Sequence, residues 1–251
     1  MRTAKTVLTV IQERGKQKKP IERVYKLLFN RELYLNAYAK LYPNNGAMTK
    51  GVTDETVDGM SIQKIDRMIE ILREEKYQWK PTRREYIKKK NGKKRPLGIP
   101  IWGDKVLQEV MRQILEAYYE PQFSEHSHGF RPNRGCHTAL QEIQVWKGTR
   151  WFIEGDISQY FDTIDHKILL EILARNIHDG RFIRLVSNML EAGYLEEWKF
   201  NQTISGVPQG GVISPILANI YLNEFDNWIE EVLIPKYTKG KRQKSNPEYN
   251  K

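Results

Sequence analysis

The chain has almost no cysteine. Cys136 is the only one in 251 residues, so no internal disulfide can form, and a reducing compartment fits. No apolar run approaches the roughly 20 residues that cross a bilayer, so no spanning helix and no membrane partner are expected. The start, Met1-Arg2-Thr3-Ala4-Lys5, lacks the apolar stretch of a secretory signal. A basic start could suit organelle import, but Glu13 and Glu22 come early, so a bacterial cytoplasm is the first expectation and an organelle the second. Acidic residues are scarce: 31 Asp and Glu stand against 41 Lys and Arg, a formal net charge of +10. That excess favours a polyanionic partner. No internal repeat is visible, and the length allows one large domain or two modest ones.

Residues 1–19 are polar and basic and end in Lys16-Gln17-Lys18-Lys19. Pro20 suits the first turn of a helix running to about Tyr42, with Val24, Leu27, Leu28, Leu35 and Tyr38 near helical spacing. Gly51 to Gly59 reads as an ordered loop. Ser61 caps a second helix with Ile62, Ile65, Ile69 and Leu72 on one face. Arg83 to Pro100 reads as a β-hairpin turning at Asn91-Gly92, since Asn-Gly supplies the positive φ of a two-residue turn. A third helix follows, capped by Asp104 and ended by Pro121. Beyond it come a helix near 136–147, an apolar strand 151–157 and helices near 165–175 and 179–191. Strand-like residues 195–204 and a long helix near 213–233 complete the pattern. The tail from Lys236 to Lys251 is a basic linker.

Two blocks carry chemistry. In Trp151 to Asp162, Asp156 ends a buried strand, where a carboxylate is costly unless it meets a cation. Such an oxygen suits Mg²⁺, which shares its ligands with substrate phosphates; a cap on the next helix is the bland alternative. Phe161, five residues on, can bring its ring under a metal-held nucleotide and exclude a ribose 2′-OH; a core Phe is the alternative. Asp165 reads as a helix cap. The second block is Gly206-Val207-Pro208-Gln209-Gly210-Gly211 followed by Ser214-Pro215, with Asn219 one turn on; Pro208 to Gly211 make a tight turn whose glycines admit a ligand and whose Gln can bond a sugar or base. Lys88, Lys89, Lys90, Lys93, Lys94 and Arg95 straddle the hairpin turn, so several cations can reach one triphosphate or strand. Phe130, Arg131 and Arg134 form a turn suited to stacking and backbone contact with a strand. His126, His128, Cys136 and His137 fit no common zinc spacing.

These motifs, in this order from about Pro20 to Tyr221, resemble the group II intron-encoded reverse transcriptases, or maturases. Arg84-Glu85-Tyr86-Ile87-Lys88, Lys94 to Pro100, Gly129 to Pro132, the Asp156 block and Gln209 to Pro215 carry the resemblance. The stretch from Gly46 to Ser61 looks like the mitochondrial-like lineage. The resemblance implies an α+β, right-hand polymerase fold: fingers with an incomplete palm, helix-rich, with a fingertip β-hairpin and a small antiparallel sheet. Residues 1–80 would be an N-terminal extension that binds intron RNA, helped by Lys16, Lys18 and Lys19. Residues 81–150 would be mainly fingers, 151–235 a partial palm with a helical insertion, and 236–251 a linker. Lys89 and Arg95 would grip the incoming triphosphate. Asp156 and the Ile157 carbonyl would hold Mg²⁺, Phe161 would be the sugar gate, and Gln209 a nucleotide contact. RNA template and DNA primer would be partners of the full-length protein.

The family's Tyr-Ala-Asp-Asp block is not found, and no two aspartates are adjacent in the chain. The expectation is therefore an incomplete metal site, an RNA-binding module inactive by itself, and a palm edge that pairs with a second copy. A viral RNA-dependent RNA polymerase is the alternative; it would place Asp rather than Phe at the gate.

Overall fold

The computed structural model describes residues 2–88, 92, 94–147, 154–197, 199–207, 210–239 and 244–245. They fall into two compact units, Met1–Gln122 with Ile153–Ala218, and Phe123–Phe152 with Asn219–Lys251.

The first unit opens with helix α1 (Ala4–Lys16), where no helix is predicted from the sequence. Thr3 starts it by accepting from the Thr6 amide at 3.2 Å. Of its apolar residues only Ala4 and Ile11 are buried, and a glycine packs beside them. Ala4, Ile11 and Gly15 are buried, and a β-carbon on Gly15 would stand 2.1 Å from the Tyr118 carbonyl oxygen. The predicted helix over Pro20–Tyr42 is broken into strand β1 (Ile21–Glu22), a 3₁₀ turn Val24–Phe29 and helix α2 (Arg31–Leu41). Two local features cut it: Arg23 adopts φ 54, and Asn30 caps α2 by accepting from Glu32 N at 3.0 Å. The Tyr25 amide, moreover, donates to Asp179 at 2.9 Å, a side chain distant in sequence that no helical periodicity reports.

Helix α3 (Ile62–Arg73) is capped by Ser61, which accepts from Lys64 N at 3.2 Å. Ile65, Met68, Ile69 and Leu72 form its buried face, while Ile62 is exposed. Strands β2 (Thr82–Lys88) and β3 (Lys94–Ile99) make the hairpin. A two-residue turn at Asn91-Gly92 would place Lys88 opposite Arg95. The register instead pairs Lys88 with Lys94 and Ile87 with Arg95, one residue away from that expectation. Helix α4 (Trp102–Tyr119) is buried nearly all round and carries α1 and α2. Asp104 does not cap it; the cap position is Ile101. Asp104 lies buried in the first turn and instead accepts from Tyr77 OH at 2.6 Å and Lys80 N at 3.1 Å, tying down the chain that leads into β2.

Helix α5 (Cys136–Gln144) belongs to the second unit. Of the predicted strand 151–157, residues 151–153 lie outside the described residues, and Glu154 to Ile157 are exposed and not a strand. No described strand pairs with them, and an extended segment without a neighbour has no partners for its backbone groups. The premise of a buried strand ending in Asp156 is therefore corrected: the carboxylate is exposed. A short helix α6 (Tyr160–Thr163) leads to α7 (His166–Asn176), strand β4 (Ile177–His178) and α8 (Gly180–Leu190), capped by Asp165 and Asp179. Strands β5 (Tyr194–Glu196) and β6 (Lys199–Asn201) follow. The sheet order is β3-β2-β5-β6, and it is mixed rather than wholly antiparallel: β5 joins β2 in parallel through Thr82↔Tyr194 and Arg83↔Leu195. Arg84 stacks over the Tyr194 ring at 3.7 Å and helps hold that junction. Helix α9 (Ser214–Trp228) runs on into a π-helical turn, Ile229–Leu233.

Candidate functional site

The two sequence blocks meet in the first unit. Val207 N donates to Phe161 O at 2.7 Å and Gly206 N to Ile164 O at 2.8 Å. Ser205 Oγ donates to Asp162 O at 3.1 Å, and His166 Nε2 lies 2.6 Å from Gly206 O. Gly206 is needed there: its φ is +87, and a β-carbon would stand 2.7 Å from Phe161 O. Beyond Pro208 and Gln209, which lie outside the described residues, Gly210 (φ +103) comes so near Gly98 that a β-carbon would stand 2.9 Å from its carbonyl oxygen. Val212 N then donates to Gln108 Oε1 of α4 at 2.9 Å. The turn that follows the Asp156 block is thus seated between that block and the base of the fingertip hairpin. The space left among Arg84, Pro96, Asp162, Tyr194 and Gly206 is about 40 Å³, room for little more than a water molecule.

A larger cavity, about 300 Å³ and mainly apolar, lies on the other side of the hairpin base, between Ala47, Leu97, Ile99, Trp102 and Val212. Its outer wall is the loop after α2. Two cations hold that loop by its carbonyl oxygens. Lys105 Nζ, buried, donates to Gly46 O at 3.2 Å and Thr49 O at 3.0 Å; Arg83 donates to Lys50 O at 3.1 and 2.9 Å. Among the described residues no carboxylate pairs with Lys105, and burial, followed by the nearby Arg83 charge, pushes its ammonium pKa down. Sequence reading missed both residues, since each looks like one more surface cation.

On the hairpin, Lys88 and Lys94 are exposed and share a face with Tyr86. Arg95, also exposed, lies on the opposite face with Ile87. Lys89, Lys90 and Lys93 lie outside the described residues, as does Gln209. Lys16, Lys18 and Lys19 are exposed at the end of α1, with Lys16 paired to Glu13 at 2.7 Å. In the second unit, Phe130 is 70% exposed at the tip of its turn. Arg131 differs from the expectation: at 8% exposure it is turned inward, bonding Ser124 O and Ser127 O and stacking on Phe123, rather than offered to a strand. Arg134 donates to Glu125 O. These bonds make the turn rigid, and Asn219 fixes it further by donating to Gly129 O at 2.8 Å. His126 and His128 both bond Glu142, and those two hydrogen bonds hold its carboxylate below the ordinary range.

Mg²⁺ prefers near-octahedral oxygen coordination. The described residues offer it the exposed Asp156 and the Ile157 carbonyl, and no group of three His, Cys, Asp or Glu among them could hold a metal ion. Asp165 is engaged as a cap, accepting from Ile168 N at 3.0 Å. These residues do not make a complete Mg²⁺ site. Among the described residues no helix is long and apolar enough to cross a membrane.

Basic hairpin, Asp156 block and the turn packed on it define a fingers-and-palm segment of a right-hand polymerase. The family profile described as reverse transcriptase (RNA-dependent DNA polymerase) matches residues 87–239. The group II intron-encoded protein LtrA of Lactococcus lactis subsp. cremoris is 48% identical over 229 residues, 90% of this chain and 38% of that protein. An uncharacterized 91 kDa protein in a cob intron of Schizosaccharomyces pombe is 47% identical over 237 residues, 91% of this chain and 29% of that protein. A solved partial Cas6-RT-Cas1–Cas2 complex contains a chain of like fold, with a TM-score of 0.54 over 83% of this chain and 35% of that one, at 20% identity. The chain belongs to the reverse transcriptase family, in its group II intron-encoded branch. It spans well under half the length of these curated relatives.

Proposed function

We propose that this chain is the RNA-binding fingers and partial palm of a group II intron reverse transcriptase and maturase. The full-length protein would bind its intron RNA to promote splicing and, with Mg²⁺, copy that RNA from a DNA primer into cDNA for retrohoming. The observation that carries the reading is the packing of the Gly206–Val207 turn on Phe161, with Gly210 against the hairpin base at Gly98. Within that reading Asp156 and Ile157 are the metal ligands, Phe161 the sugar gate, Gln209 a nucleotide contact, and Lys89 with Arg95 the grip on the triphosphate. Lys16, Lys18, Lys19, Lys88, Lys90, Lys93, Lys94, Phe130 and Arg134 are read as the nucleic-acid surface, and residues 1–80 as the intron-RNA extension.

For the chain by itself the proposed contribution is RNA binding, because no group of three His, Cys, Asp or Glu among the described residues could hold a metal ion. Two measurements test this. Intron-RNA affinity should fall steeply between ~50 and ~200 mM salt as Lys and Arg contacts release counterions; a flat response removes the basic-surface reading. In the full-length protein, Phe161→Ala should admit ribonucleotides during primer extension. Unchanged sugar preference removes the gate assignment.

A further inference from the structure

We infer that His166 is a positioning residue for the sugar gate: it pins the Gly206–Val207 peptide plane, and through that plane it fixes the backbone of Phe161. The inference rests on the polymerase reading above and adds to it a residue outside the motif blocks.

The geometry is that of one peptide unit held at both ends. Its N–H, on Val207, donates to Phe161 O at 2.7 Å. Its carbonyl, on Gly206, points the other way and meets His166 Nε2 at 2.6 Å. A carbonyl oxygen only accepts, so Nε2 carries the proton; the neutral Nε2–H tautomer and the imidazolium both satisfy it. Reversing this peptide plane would break both bonds at once. The preceding residue is where such a reversal meets least resistance, since Gly206 has no β-carbon and already sits at φ +87. The Phe161 bond alone therefore leaves the plane with one restraint, and His166 supplies the second.

His166 is itself well placed to do this. It is the first residue of α7, whose start is fixed by Asp165 accepting from Ile168 N at 3.0 Å. The residues either side of the ring's contact are immobilised in the core: Ile164 and Val207 are both buried. The ring, half-buried, reaches across from a capped helix to a glycine turn, and it is the side chain that closes that gap.

The test compares wild type with His166→Phe, which keeps a ring but removes the donor, and His166→Gln, which restores an N–H donor. In the 251-residue chain, amide hydrogen exchange at Val207 should speed up roughly three- to tenfold in H166F, the factor expected from losing one hydrogen bond. It should return toward wild type in H166Q, with exchange in α4 unchanged in both. Val207 exchange that is the same in H166F as in wild type overturns the inference. In the full-length protein, H166F should lower the preference for deoxynucleotides over ribonucleotides with a smaller change in the deoxynucleotide kcat, and H166Q should recover it. Phe161→Ala, run alongside, separates the two readings. If F161A changes sugar preference and H166F does not, the positioning role is overturned. If neither changes it, the gate assignment itself falls, and Val207 exchange alone then supports or overturns the pin.

Discussion

Gly206 and Phe161 approach so closely that no other residue fits at 206: a β-carbon there would stand 2.7 Å from the Phe161 carbonyl oxygen, at a φ of +87. Gly206→Ala should therefore destabilise the fold by roughly 1–3 kcal/mol from backbone strain alone, with the contact adding to it. Gly180→Ala is the control. It opens α8 with nothing within 4 Å of the added carbon, and it should be neutral or slightly stabilising by up to ~1 kcal/mol. Chemical denaturation of the two variants checks the contrast; equal effects would show that the 206 contact does not constrain the fold.

Asp104 gives stability an unusual pH dependence. Burial raises its pKa to about 6 from an ordinary 3.8, against the hydrogen bonds from Tyr77 and Lys80 N that pull the other way. Between those values the folded state holds a proton that the unfolded state has released. Stability from this group is thus fully present below about pH 4 and is lost as pH rises through about 6, by an amount on the order of 3 kcal/mol. Asp104→Asn should flatten that part of the stability–pH curve. An unchanged slope in D104N, measured by denaturation from pH 4 to pH 7, would assign the dependence elsewhere.

On α4, Glu109 is 1% exposed and takes both Arg112 Nε at 2.6 Å and Nη2 at 2.8 Å, with Lys40 of α2 at 3.2 Å. Removing Arg112 takes both close bonds from a buried carboxylate and leaves it only the mostly exposed Lys40, so Arg112→Met should cost up to about 3–5 kcal/mol. Lys40 is mostly exposed, and Lys40→Met should cost less than about 1 kcal/mol. The double variant Arg112→Met with Glu109→Met should recover much of the first loss. Thermal unfolding of the three proteins distinguishes a needed ion pair from a merely tolerated one.

The second unit exposes Leu140, Val145 and Trp146 at and beyond α5, and Phe225 and Trp228, stacked with ring centroids 6.2 Å apart, on α9. Large apolar side chains so displayed favour association. A second copy of the chain is the expected occupant, and light scattering should show mass rising with concentration. Trp228→Glu should weaken the effect. A strict monomer at high concentration would remove this expectation.

Much of the candidate site was legible because its blocks are local. The Asp156 stretch and the Pro-Gln-Gly turn are each contiguous, and caps such as Ser61 and Asp165 sit where short polar residues precede apolar periodicity. What escaped was set by partners distant in the chain. The break at Arg23 and Asn30 goes with an Asp179 bond to Tyr25, 154 residues away. α1 escaped because only Ala4, Ile11 and Gly15 of it are buried, too few to mark a period among its polar and basic residues. Lys105 and Arg83 read as charge, whereas their work is to hold three carbonyl oxygens of one loop. The hairpin's existence was clear from Asn91-Gly92, but its register was not, because the strand pairing rather than the turn residues sets which cations share a face.

The contact between Gly15 and the Tyr118 carbonyl has a consequence for how this protein can change over time. A basic N-terminal segment that merely trailed from the fingers could be trimmed, lengthened or exchanged without disturbing the packing. Here the last turn of α1 is pressed against the far end of the central helix with no room for a methyl group. Residues 4–16 are a fixed rib of the frame, and variation there is confined to the outward-facing side chains it carries.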